Sequence, residues 1–336
     1  RINFILIGCG AIGKKHAHLC SQKGTLLAVC DINSERASLF ASNYKARLYC
    51  SLQEMLEQEK TAHALVVCTP NGYHAEHAVK GLKAGLHVLC EKPMAIHLNE
   101  CKLMARTARK YKRQLVVVKQ NRYNPPVVAV KNALQKGKLG KIVGIQVNCF
   151  WNRDVNYYQG SPWRGTKSLD GGALFTQFSH FIDLLYWLAG ELKEVKGYVA
   201  NKAHGSTIET DDTGVFSFIT KAGVPGTFHY TTNAFGQNME GSVTLFAEKG
   251  TIKIGGSYLN SVEYQYPQII CTEKLQKSRD ANLYEGYQGS MSNHHLVYRD
   301  FIKVVTGKQA NFLSGEEAMI SIKMIEQFYN AAAKSK

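Results

Sequence analysis

The feature that most constrains this chain is a glycine-rich run near its start, Gly8-Cys9-Gly10-Ala11-Ile12-Gly13. It follows an apolar run at residues 2–7 that predicts a buried strand, and it opens a helical stretch at residues 12–21. In a strand-turn-helix unit of this kind the first glycine permits a tight turn and the second lets the backbone approach a pyrophosphate. The third glycine lets the helix pack on the strand, and the helix N-terminus faces the phosphates. The pattern predicts a dinucleotide-binding Rossmann domain.

An acidic residue indicates which dinucleotide binds. Asp31 ends the second predicted strand, residues 26–30. A carboxylate at this position binds the hydroxyls of the adenosine ribose and repels a 2′-phosphate. We therefore expect NAD, and not NADP, as the cofactor.

Short apolar runs alternate with helical stretches over the first third of the chain. The predicted strands are residues 2–7, 26–30, 64–68, 87–90 and 115–118, and the predicted helices are residues 12–21, 34–42, 74–84 and 98–112. Runs this short, separated by helices, are typical of buried parallel strands joined by crossover helices.

The pattern changes after Asn121, where Asn124-Pro125-Pro126 interrupts the alternation. Strand-like runs between glycine turns then follow, with a helix predicted over residues 174–188 and two closing helices over 294–305 and 315–332. The predicted fold class is α/β. An NAD-binding Rossmann domain would span residues 1–122, and an α+β domain with a large, mostly antiparallel, open-faced sheet would span residues 123–336.

Composition narrows the functional classes. The net charge of +15 favours anionic partners, but no helix-turn-helix, zinc-finger or RNA-recognition pattern accompanies it, so we expect no nucleic-acid partner. No apolar run approaches the ~18 residues of a membrane helix, and the first residues leave no room for a secretion signal, so we expect a cytoplasmic protein. The nine cysteines contain no CxxC pair and are interpreted as buried thiols.

Two further segments follow predicted strands, at the edge where open α/β sheets bind ligands. They are Thr69-Pro70-Asn71 and Glu91-Lys92-Pro93. Held in this place, Lys92 can supply a fixed positive charge to a reacting oxygen. His74 and His77 have a metal-like spacing but lack clustered partners, so no metal site is predicted. We interpret His74 as a helix-packing residue that borders the nicotinamide ribose.

These motifs together resemble the Gfo/Idh/MocA family, named after glucose-fructose oxidoreductase and inositol dehydrogenase. Asp170-Gly171-Gly172 and His180-x-x-Asp183 match the family's second active-site segment, so the resemblance covers essentially the whole chain. It implies that Lys92 and His180 are catalytic. It also implies that the cofactor contacts the glycine run, Asp31, Thr69, Pro70, Asn71, His74, Glu91, Lys92, Gln120, Trp163 and Arg164.

Several longer segments resemble one subgroup, the UDP-N-acetylglucosaminuronate 3-dehydrogenases of surface-polysaccharide and lipopolysaccharide biosynthesis. These segments are residues 118–126, residues 150–153, Tyr157-Tyr158 and residues 163–166. The resemblance implies oxidation of the C3 hydroxyl of a UDP-linked uronic acid. It further implies 2-oxoglutarate as a possible hydride acceptor and a homotetramer or homodimer paired through the open sheet face.

The predicted helix over residues 174–188 places Thr176, His180 and Asp183 on one face. A lone histidine in an apolar helix is usually a packed core group, but the preceding Gly171-Gly172 and the family resemblance favour catalysis. Many relatives carry aspartate where this chain has Thr176, so any charge effect of that carboxylate on the histidine is absent. We expect His180 to remove the hydroxyl proton while Lys92 stabilises the alkoxide, and these two roles could be exchanged.

Residues 151–167 are rich in aromatic and cationic side chains and predict a substrate-binding loop. Arg153 and Arg164 could hold a diphosphate or carboxylate, and Tyr157 and Tyr158 could pack on a sugar or base. A loop stabilised by its own aromatic residues is the alternative. The resemblance places Trp163 and Arg164 near the nicotinamide instead. The remaining predicted substrate contacts are Thr166, Thr176 and His294.

Three other functions fit parts of the sequence. The chain could be a dehydrogenase of another sugar or polyol, such as inositol. It could also be a non-catalytic NAD-binding regulator, although retention of both Lys92 and His180 argues against that. The third alternative is a nucleic-acid-binding protein that exploits the positive charge, which salt-sensitive duplex binding would reveal.

Overall fold

The structure is a computed structural model that describes residues 1–277, 280–284, 286–310 and 312–334. The chain divides into two compact units. The first contains residues 1–118 and 294–322, and the second contains residues 119–293 together with the end of the chain from Lys323. The expected boundary after residue 122 lies close to this division. The expectation that residues 294–322 belong to the second domain differs from the structure.

The first unit opens with alternating strands and helices. They are β1 (Asn3–Ile7), α1 (Ala11–Lys23), β2 (Thr25–Cys30), α2 (Ser34–Tyr44), β3 (Arg47–Tyr49), α3 (Leu52–Gln58), β4 (Ala64–Val67), α4 (His74–Lys83), β5 (His87–Cys90), α5 (Leu98–Lys110) and β6 (Leu115–Val117). The six strands form one parallel sheet in the order β3-β2-β1-β4-β5-β6. The prediction of a parallel sheet is confirmed. β3 and α3 were not predicted because both are short and partly exposed.

This strand order places β1 between β2 and β4, where the direction of chain winding reverses. In doubly wound sheets the ligand binds outside the carboxyl ends of the strands at this reversal. The residues of β4 are all fully buried, as expected for a parallel strand covered by helices on both faces. The sheet therefore holds the loops after β1, β2, β4 and β5 at one edge.

The second unit is built mainly of strands. Its elements are α6 (Pro125–Gln135), β7 (Ile142–Phe150), α7 (Val155–Gln159), α8 (Ala173–Thr176), α9 (Ser179–Ala189), β8 (Leu192–Ala200), β9 (Thr213–Thr220), β10 (Pro225–Thr231), β11 (Glu240–Ala247), β12 (Gly250–Gly255), β13 (Ser261–Tyr266), β14 (Ala281–Tyr284) and β15 (Tyr287–Met291). Seven strands form a sheet in the order β13-β12-β11-β7-β10-β9-β8, and β14 and β15 form a separate hairpin. Only the β7–β10 pair of the larger sheet is parallel, so the predicted mostly antiparallel sheet is confirmed.

Alternation of buried and exposed residues shows that the larger sheet has one covered face. Phe216 and Phe228 lie on the buried face and pack against Phe328, with ring centroids 4.7 and 5.2 Å apart. The opposite face exposes large side chains such as Tyr198 and Tyr266. This period of two is the pattern expected of a sheet that is buried on one side.

Two helices, α10 (His294–Val305) and α11 (Gly315–Lys334), close the chain. Residues 294–322 belong to the first unit because α10 buries Tyr298 and Phe301 against Phe4, with ring centroids 5.8 and 6.4 Å apart. The segment before α11 also extends the edge of the parallel sheet, since the amide of Val117 donates to the carbonyl of Leu313 at 3.2 Å. Within the described ranges, no helix is long and apolar enough to cross a membrane.

Candidate active site

In the glycine turn of the first unit, two of the three glycines pack tightly against neighbouring backbone and the third does not. Gly8 has a φ of +98°, and a Cβ atom there would lie 2.5 Å from the carbonyl carbon of Cys68. A Cβ atom on Gly13 would lie 2.2 Å from the carbonyl oxygen of Gly8. A Cβ atom on Gly10 would meet nothing within 4 Å. The fold itself therefore requires Gly8 and Gly13, whereas Gly10 leaves space before the N-terminus of α1, which fits a pyrophosphate.

Asp31 is held by main-chain donors at the end of β2. Its Oδ2 accepts a hydrogen bond from the amide of Cys9 at 2.7 Å, and its Oδ1 accepts one from the amide of Asn33 at 2.8 Å. These bonds tie the carboxylate to the glycine turn and to the start of α2. Each carboxylate oxygen can accept a further hydrogen bond, which is what a pair of ribose hydroxyls needs.

The loop after β4 is braced by His74. The ring nitrogens of this buried histidine lie 2.7 Å from the carbonyl oxygens of Thr69 and Pro93, and burial lowers its pKa. Pro70 precedes a short 3₁₀ turn that buries Asn71. His74 thus joins the loops after β4 and β5 and supports the cofactor edge from within.

Lys92 follows β5, and the Lys92–Pro93 peptide bond is cis. The amide of Lys92 donates to Oε2 of Glu91 at 3.0 Å. Glu91 is buried, and its Oε1 lies 2.8 Å from Nε2 of His16 and 3.4 Å from Nε2 of His294. Burial alone would raise the pKa of Glu91, but the hydrogen bonds and charges of the two histidines outweigh it and hold this pKa well below its usual range.

The cluster His16–Glu91–His294 has a composition that can bind metals, with ligand atoms within 4.8 Å of one another. Its geometry is that of a hydrogen-bonded network. His16 Nδ1 lies 2.8 Å from the hydroxyl of Tyr298, and the 2.8 Å contact to Glu91 is shorter than the about 3.3 Å between ligands around tetrahedral zinc. Burial lowers the pKa of His294 to about 4. His294 was expected to contact substrate; the structure places it in the first unit against Glu91.

In the second unit the polar side chains of Gln120 and Ser290 lie beside His180. Nε2 of His180 lies 3.3 Å from Nε2 of Gln120 and 3.4 Å from Oγ of Ser290. Gln120 Nε2 also donates to Ser290 Oγ at 2.7 Å. Gln120 was expected at the cofactor, and Ser290 was not predicted at all.

The helix expected over residues 174–188 is interrupted. Its first turn is α8, and α9 begins at Ser179 after a break at Gln177 and Phe178. The prediction that Thr176 and His180 share one helix face is therefore wrong. The hydroxyl of Thr176 donates to Oδ1 of Asp170 at 2.6 Å, an oxygen that also accepts from the amide of Gly172 at 3.3 Å.

Asp183 lies on α9 and forms an ion pair with Arg122. Its carboxylate accepts from Nε and Nη2 of Arg122 at 2.8 and 3.0 Å, a forked geometry that fixes both side chains. Arg122 also lies over the ring of Trp187, 5.1 Å from its centroid. The pair connects the short 3₁₀ helix Gln120–Tyr123 to α9, the helix that carries His180.

Arg153 is a buried cation that, within the described part of the chain, forms no ion pair with a carboxylate. It is only 4% exposed, and its guanidinium donates to Asn238 Oδ1 and the carbonyl of Gln288, both at 3.1 Å. It lies 5.2 and 5.1 Å from the ring centroids of Tyr157 and Tyr287. A buried cation without a carboxylate partner is costly, so this region favours an anionic ligand.

Arg164 contacts the same two rings from its own position, 4.1 Å from the centroid of Tyr157 and 5.1 Å from that of Tyr287. It donates to the carbonyl of Tyr157 at 2.9 Å and to the hydroxyl of Tyr287 at 3.3 Å. Burial raises the pKa of Tyr287 to about 12. The two arginines and two tyrosines therefore form one cationic aromatic cluster.

The other predicted loop residues have internal roles. Tyr158 is buried, packs on Tyr157 and Ile208, and burial raises its pKa. The hydroxyl of Thr166 donates to the carbonyl of Trp163 at 2.7 Å and accepts from the amide of Leu169 at 3.3 Å. These contacts agree with the alternative that the loop is stabilised by its own side chains.

The fold and the glycine turn define a dinucleotide-binding oxidoreductase. The family model described as "Oxidoreductase family, NAD-binding Rossmann fold" matches residues 2–119, and the "GFO/IDH/MocA C-terminal domain" matches residues 127–253. The chain belongs to the Gfo/Idh/MocA family of NAD-dependent oxidoreductases, as the motifs predicted, and its cofactor is NAD.

Two solved structures are similar over the whole chain. The WlbA dehydrogenase from Bordetella pertussis is 34% identical with a TM-score of 0.89, covering 100% of this chain and 98% of that one. The WlbA dehydrogenase from Chromobacterium violaceum is 33% identical with a TM-score of 0.88, covering 100% and 95%. Both were crystallised with NADH and UDP-GlcNAcA.

A curated relative matches over a shorter region. Glucose-6-phosphate 3-dehydrogenase from Bacillus subtilis (strain 168) is 30% identical over 187 residues. The match covers 54% of this chain and 52% of that protein, so the chain spans about half the length of this relative.

Proposed function

We propose that this protein oxidises the C3 hydroxyl of UDP-N-acetylglucosaminuronate to a ketone, with NAD as the hydride acceptor. The observation that carries the proposal is the full-length similarity to two dehydrogenases crystallised with NADH and UDP-GlcNAcA. The cluster of Arg153 and Arg164 supports it, because a diphosphate and a uronate carboxylate supply the anions that these arginines lack in the described part of the protein.

The cofactor side of the reaction uses the edge of the parallel sheet. Gly10, Ala11, Ile12 and Gly13 would hold the pyrophosphate at the N-terminus of α1, and Asp31 would hold the adenosine ribose. NAD⁺, when bound, supplies the acceptor for the hydride that leaves C3.

The proton side of the reaction uses His180 and Lys92. Oxidation of an alcohol releases a hydride from carbon and a proton from oxygen. We assign His180 to take the hydroxyl proton and Lys92 to stabilise the negative charge that develops on oxygen, with exchanged roles as the alternative. Positioned proton transfer of this kind contributes about 10²- to 10⁴-fold to the rate.

The substrate side uses the cationic aromatic cluster. Arg153 and Arg164 would bind the diphosphate or the carboxylate, and the planar guanidinium group suits either anion because it donates two parallel hydrogen bonds. A substrate without an acidic sugar would leave part of this positive charge unpaired and should react poorly.

A phosphorylated hexose is the second candidate substrate. The relative named glucose-6-phosphate 3-dehydrogenase supports it, since such a substrate also carries an anion and would be oxidised at C3. The two candidates differ in whether the nucleotide is needed, so the same assay separates them.

We also propose that the protein forms a homodimer or homotetramer through the open face of the larger sheet. Tyr266 and Phe246 lie in one row of this face, because each pairs with Thr251 across neighbouring strands. Tyr266 is 73% exposed and Phe246 is 43% exposed, and a row of exposed apolar side chains favours association. Light scattering should show a dimer or tetramer for the parent protein. The Tyr266→Glu variant should shift toward the monomer, because the substitution places a charge on the apolar face.

The test is reduction of NAD⁺, followed by absorbance, with a panel of sugars at equal concentration. The panel contains UDP-N-acetylglucosaminuronate, glucose 6-phosphate and myo-inositol, with UDP-N-acetylglucosamine as the matched control that lacks only the carboxylate. Each is assayed with and without 2-oxoglutarate, which would reoxidise tightly held NADH. We expect turnover of the uronate well above that of the control. Equal turnover of both UDP-sugars, or turnover of inositol alone, would contradict the proposal.

A further inference from the structure

His180, Gln120 and Ser290 form a closed triangle of polar atoms inside the second unit. The edges measure 2.7 Å from Gln120 Nε2 to Ser290 Oγ, 3.3 Å from Gln120 Nε2 to His180 Nε2, and 3.4 Å from Ser290 Oγ to His180 Nε2. The three residues are 3%, 3% and 7% exposed. Water therefore has little access to these groups, and the side chains themselves must settle which atom donates.

Counting donors assigns the proton positions. The Gln120 amide nitrogen has two hydrogens and no available lone pair. One hydrogen goes to Ser290 Oγ, and the other points to His180 Nε2. A ring nitrogen that receives a hydrogen bond must itself be unprotonated, so a neutral His180 carries its proton on Nδ1.

Side chains that flank Gln120 in the sequence anchor its segment to α9. Nζ of Lys119 donates to the carbonyl of Ser179 at 3.4 Å, and Arg122 forms its forked ion pair with Asp183. Both partners lie on α9, the helix that carries His180. The donor and the histidine are thereby fixed to each other.

We propose that Gln120, supported by Ser290, is a positioning residue that keeps Nε2 of His180 unprotonated and available to accept the proton of a substrate hydroxyl. This inference rests on the proposed function of His180 as the base. In the described residues the Gln120 Oε1 is buried without a hydrogen-bond partner. This oxygen can accept a further hydrogen bond, such as one from a hydroxyl group of the substrate.

The first test measures the protonation of His180 in the parent protein. In ¹⁵N-labelled full-length protein, chemical shifts separate a protonated from an unprotonated ring nitrogen, and the His180 signals are those that His180→Gln removes. We expect neutral His180 to be protonated on Nδ1 and unprotonated on Nε2. The opposite tautomer would overturn the inference whether or not the sugar substrate is correct.

The second test replaces the donor by an acceptor of the same size. In Gln120→Glu a carboxylate faces His180 at the same distance, and an opposite charge this close should raise the pKa of His180 by about 1 to 3 units relative to the parent. The other charged groups on the packed elements, Lys119, Arg122, Asp170 and Asp183, remain unchanged. Turnover should fall near neutral pH and recover at higher pH, which a merely structural defect would not do.

Two neutral variants complete the design. Gln120→Met has a similar length but donates nothing, and it should lower turnover without moving the acidic limb of the pH profile upward. Ser290→Ala should do the same with a smaller loss. If Gln120→Glu folds and binds NADH but its pH profile and His180 titration match the parent, the positioning role is wrong. Failure of the parent to oxidise any UDP-sugar would instead count against the proposed function, and the ¹⁵N measurement would still decide this inference.

Discussion

The glycine turn of the first unit and the triangle Gln120–His180–Ser290 of the second are assembled in different ways. The turn is a run of consecutive residues held by the strand before it and the helix after it. The triangle brings together residues that lie 60 and 110 positions from His180. Local sequence therefore determines the shape of the glycine turn, whereas long-range packing determines which side chains surround His180, the proposed base.

The two regions also differ in what a substitution should disturb. Gly8 and Gly13 touch backbone atoms, so changes there act on the fold. His180 and its partners are side chains fixed by other side chains, so changes there should act on the reaction while the sheet beneath stays intact.

Removing either proposed catalytic group should have the largest effect. We expect Lys92→Ala and His180→Ala each to lower turnover by about 10²- to 10⁴-fold, and the double variant to lose little more because the groups act together. NADH binding, measured by fluorescence titration, should largely survive. Lys83→Ala and His18→Ala, at exposed positions, are matched controls that should keep turnover near that of the parent. Near-normal turnover of His180→Ala would leave Lys92 as the only acid-base candidate.

Removal of a charge from the cationic aromatic cluster should have the second-largest effect, a loss of affinity for the substrate. Arg164→Met keeps much of the apolar contact with Tyr157 but removes the charge. Loss of hydrogen bonds to a charged group costs about 1.5–3 kcal/mol, which is a rise in KM of roughly ten- to a hundred-fold for the uronate. The KM for NAD should change far less. If the KM for NAD rises instead, Arg164 serves the cofactor, as the family resemblance implies.

Two alanine substitutions in the glycine turn should have different effects, one on protein stability and the other on NADH binding. Gly13→Ala forces a Cβ atom against the Gly8 carbonyl and should destabilise the protein by about 1–3 kcal/mol. Gly10→Ala meets no protein atom, so its melting temperature should stay near that of the parent while NADH binding weakens. Calorimetry and NADH titration of both variants check this. Equal losses of stability would show that Gly10 is also a packing glycine.

The smallest expected effect concerns a histidine behind Arg153. His204 lies 3.0 Å from Oδ2 of Asp212 and 2.7 Å from the carbonyl of Arg153, and both partners can only accept. The hydrogen bond to Asp212 raises the pKa of His204 although burial opposes it. Because its pKa is higher in the folded state, protonated His204 stabilises the folded protein at pH values below its unfolded pKa of about 6.5. This stabilisation is lost as the pH rises through the folded pKa.

His204→Gln should therefore lower the free energy of unfolding more at pH 6 than at pH 9, with a difference of about 1 kcal/mol after allowance for solvent screening. Thermal unfolding of parent and variant at both values measures it. A loss of stability that does not vary with pH would mean that His204 acts through packing alone.

The sequence predicted the first unit better than the second for a physical reason. Parallel strands buried on both faces read as apolar runs, and the glycine turn has a fixed spacing, so the NAD-binding edge followed from local patterns. Ser290 lies on the short hairpin strand β15, which has no strong apolar pattern, and nothing near it in sequence points to His180. The break before α9 was missed because Gln177 and Phe178 are both compatible with a helix. Residues 294–322 were assigned by their position in the chain, whereas Tyr298 and Phe301 pack on Phe4.

Isotope transfer from the sugar to NAD⁺ is the most direct test of oxidation at C3. UDP-N-acetylglucosaminuronate labelled with deuterium at C3 is turned over with unlabelled NAD⁺, and the NADH is analysed by mass spectrometry, with substrate labelled at C4 as the matched control. Oxidation at C3 predicts deuterium in the NADH from the C3-labelled sugar alone, together with a slower rate wherever hydride transfer limits turnover. Deuterium from the C4-labelled sugar, or none from either, would contradict oxidation at C3.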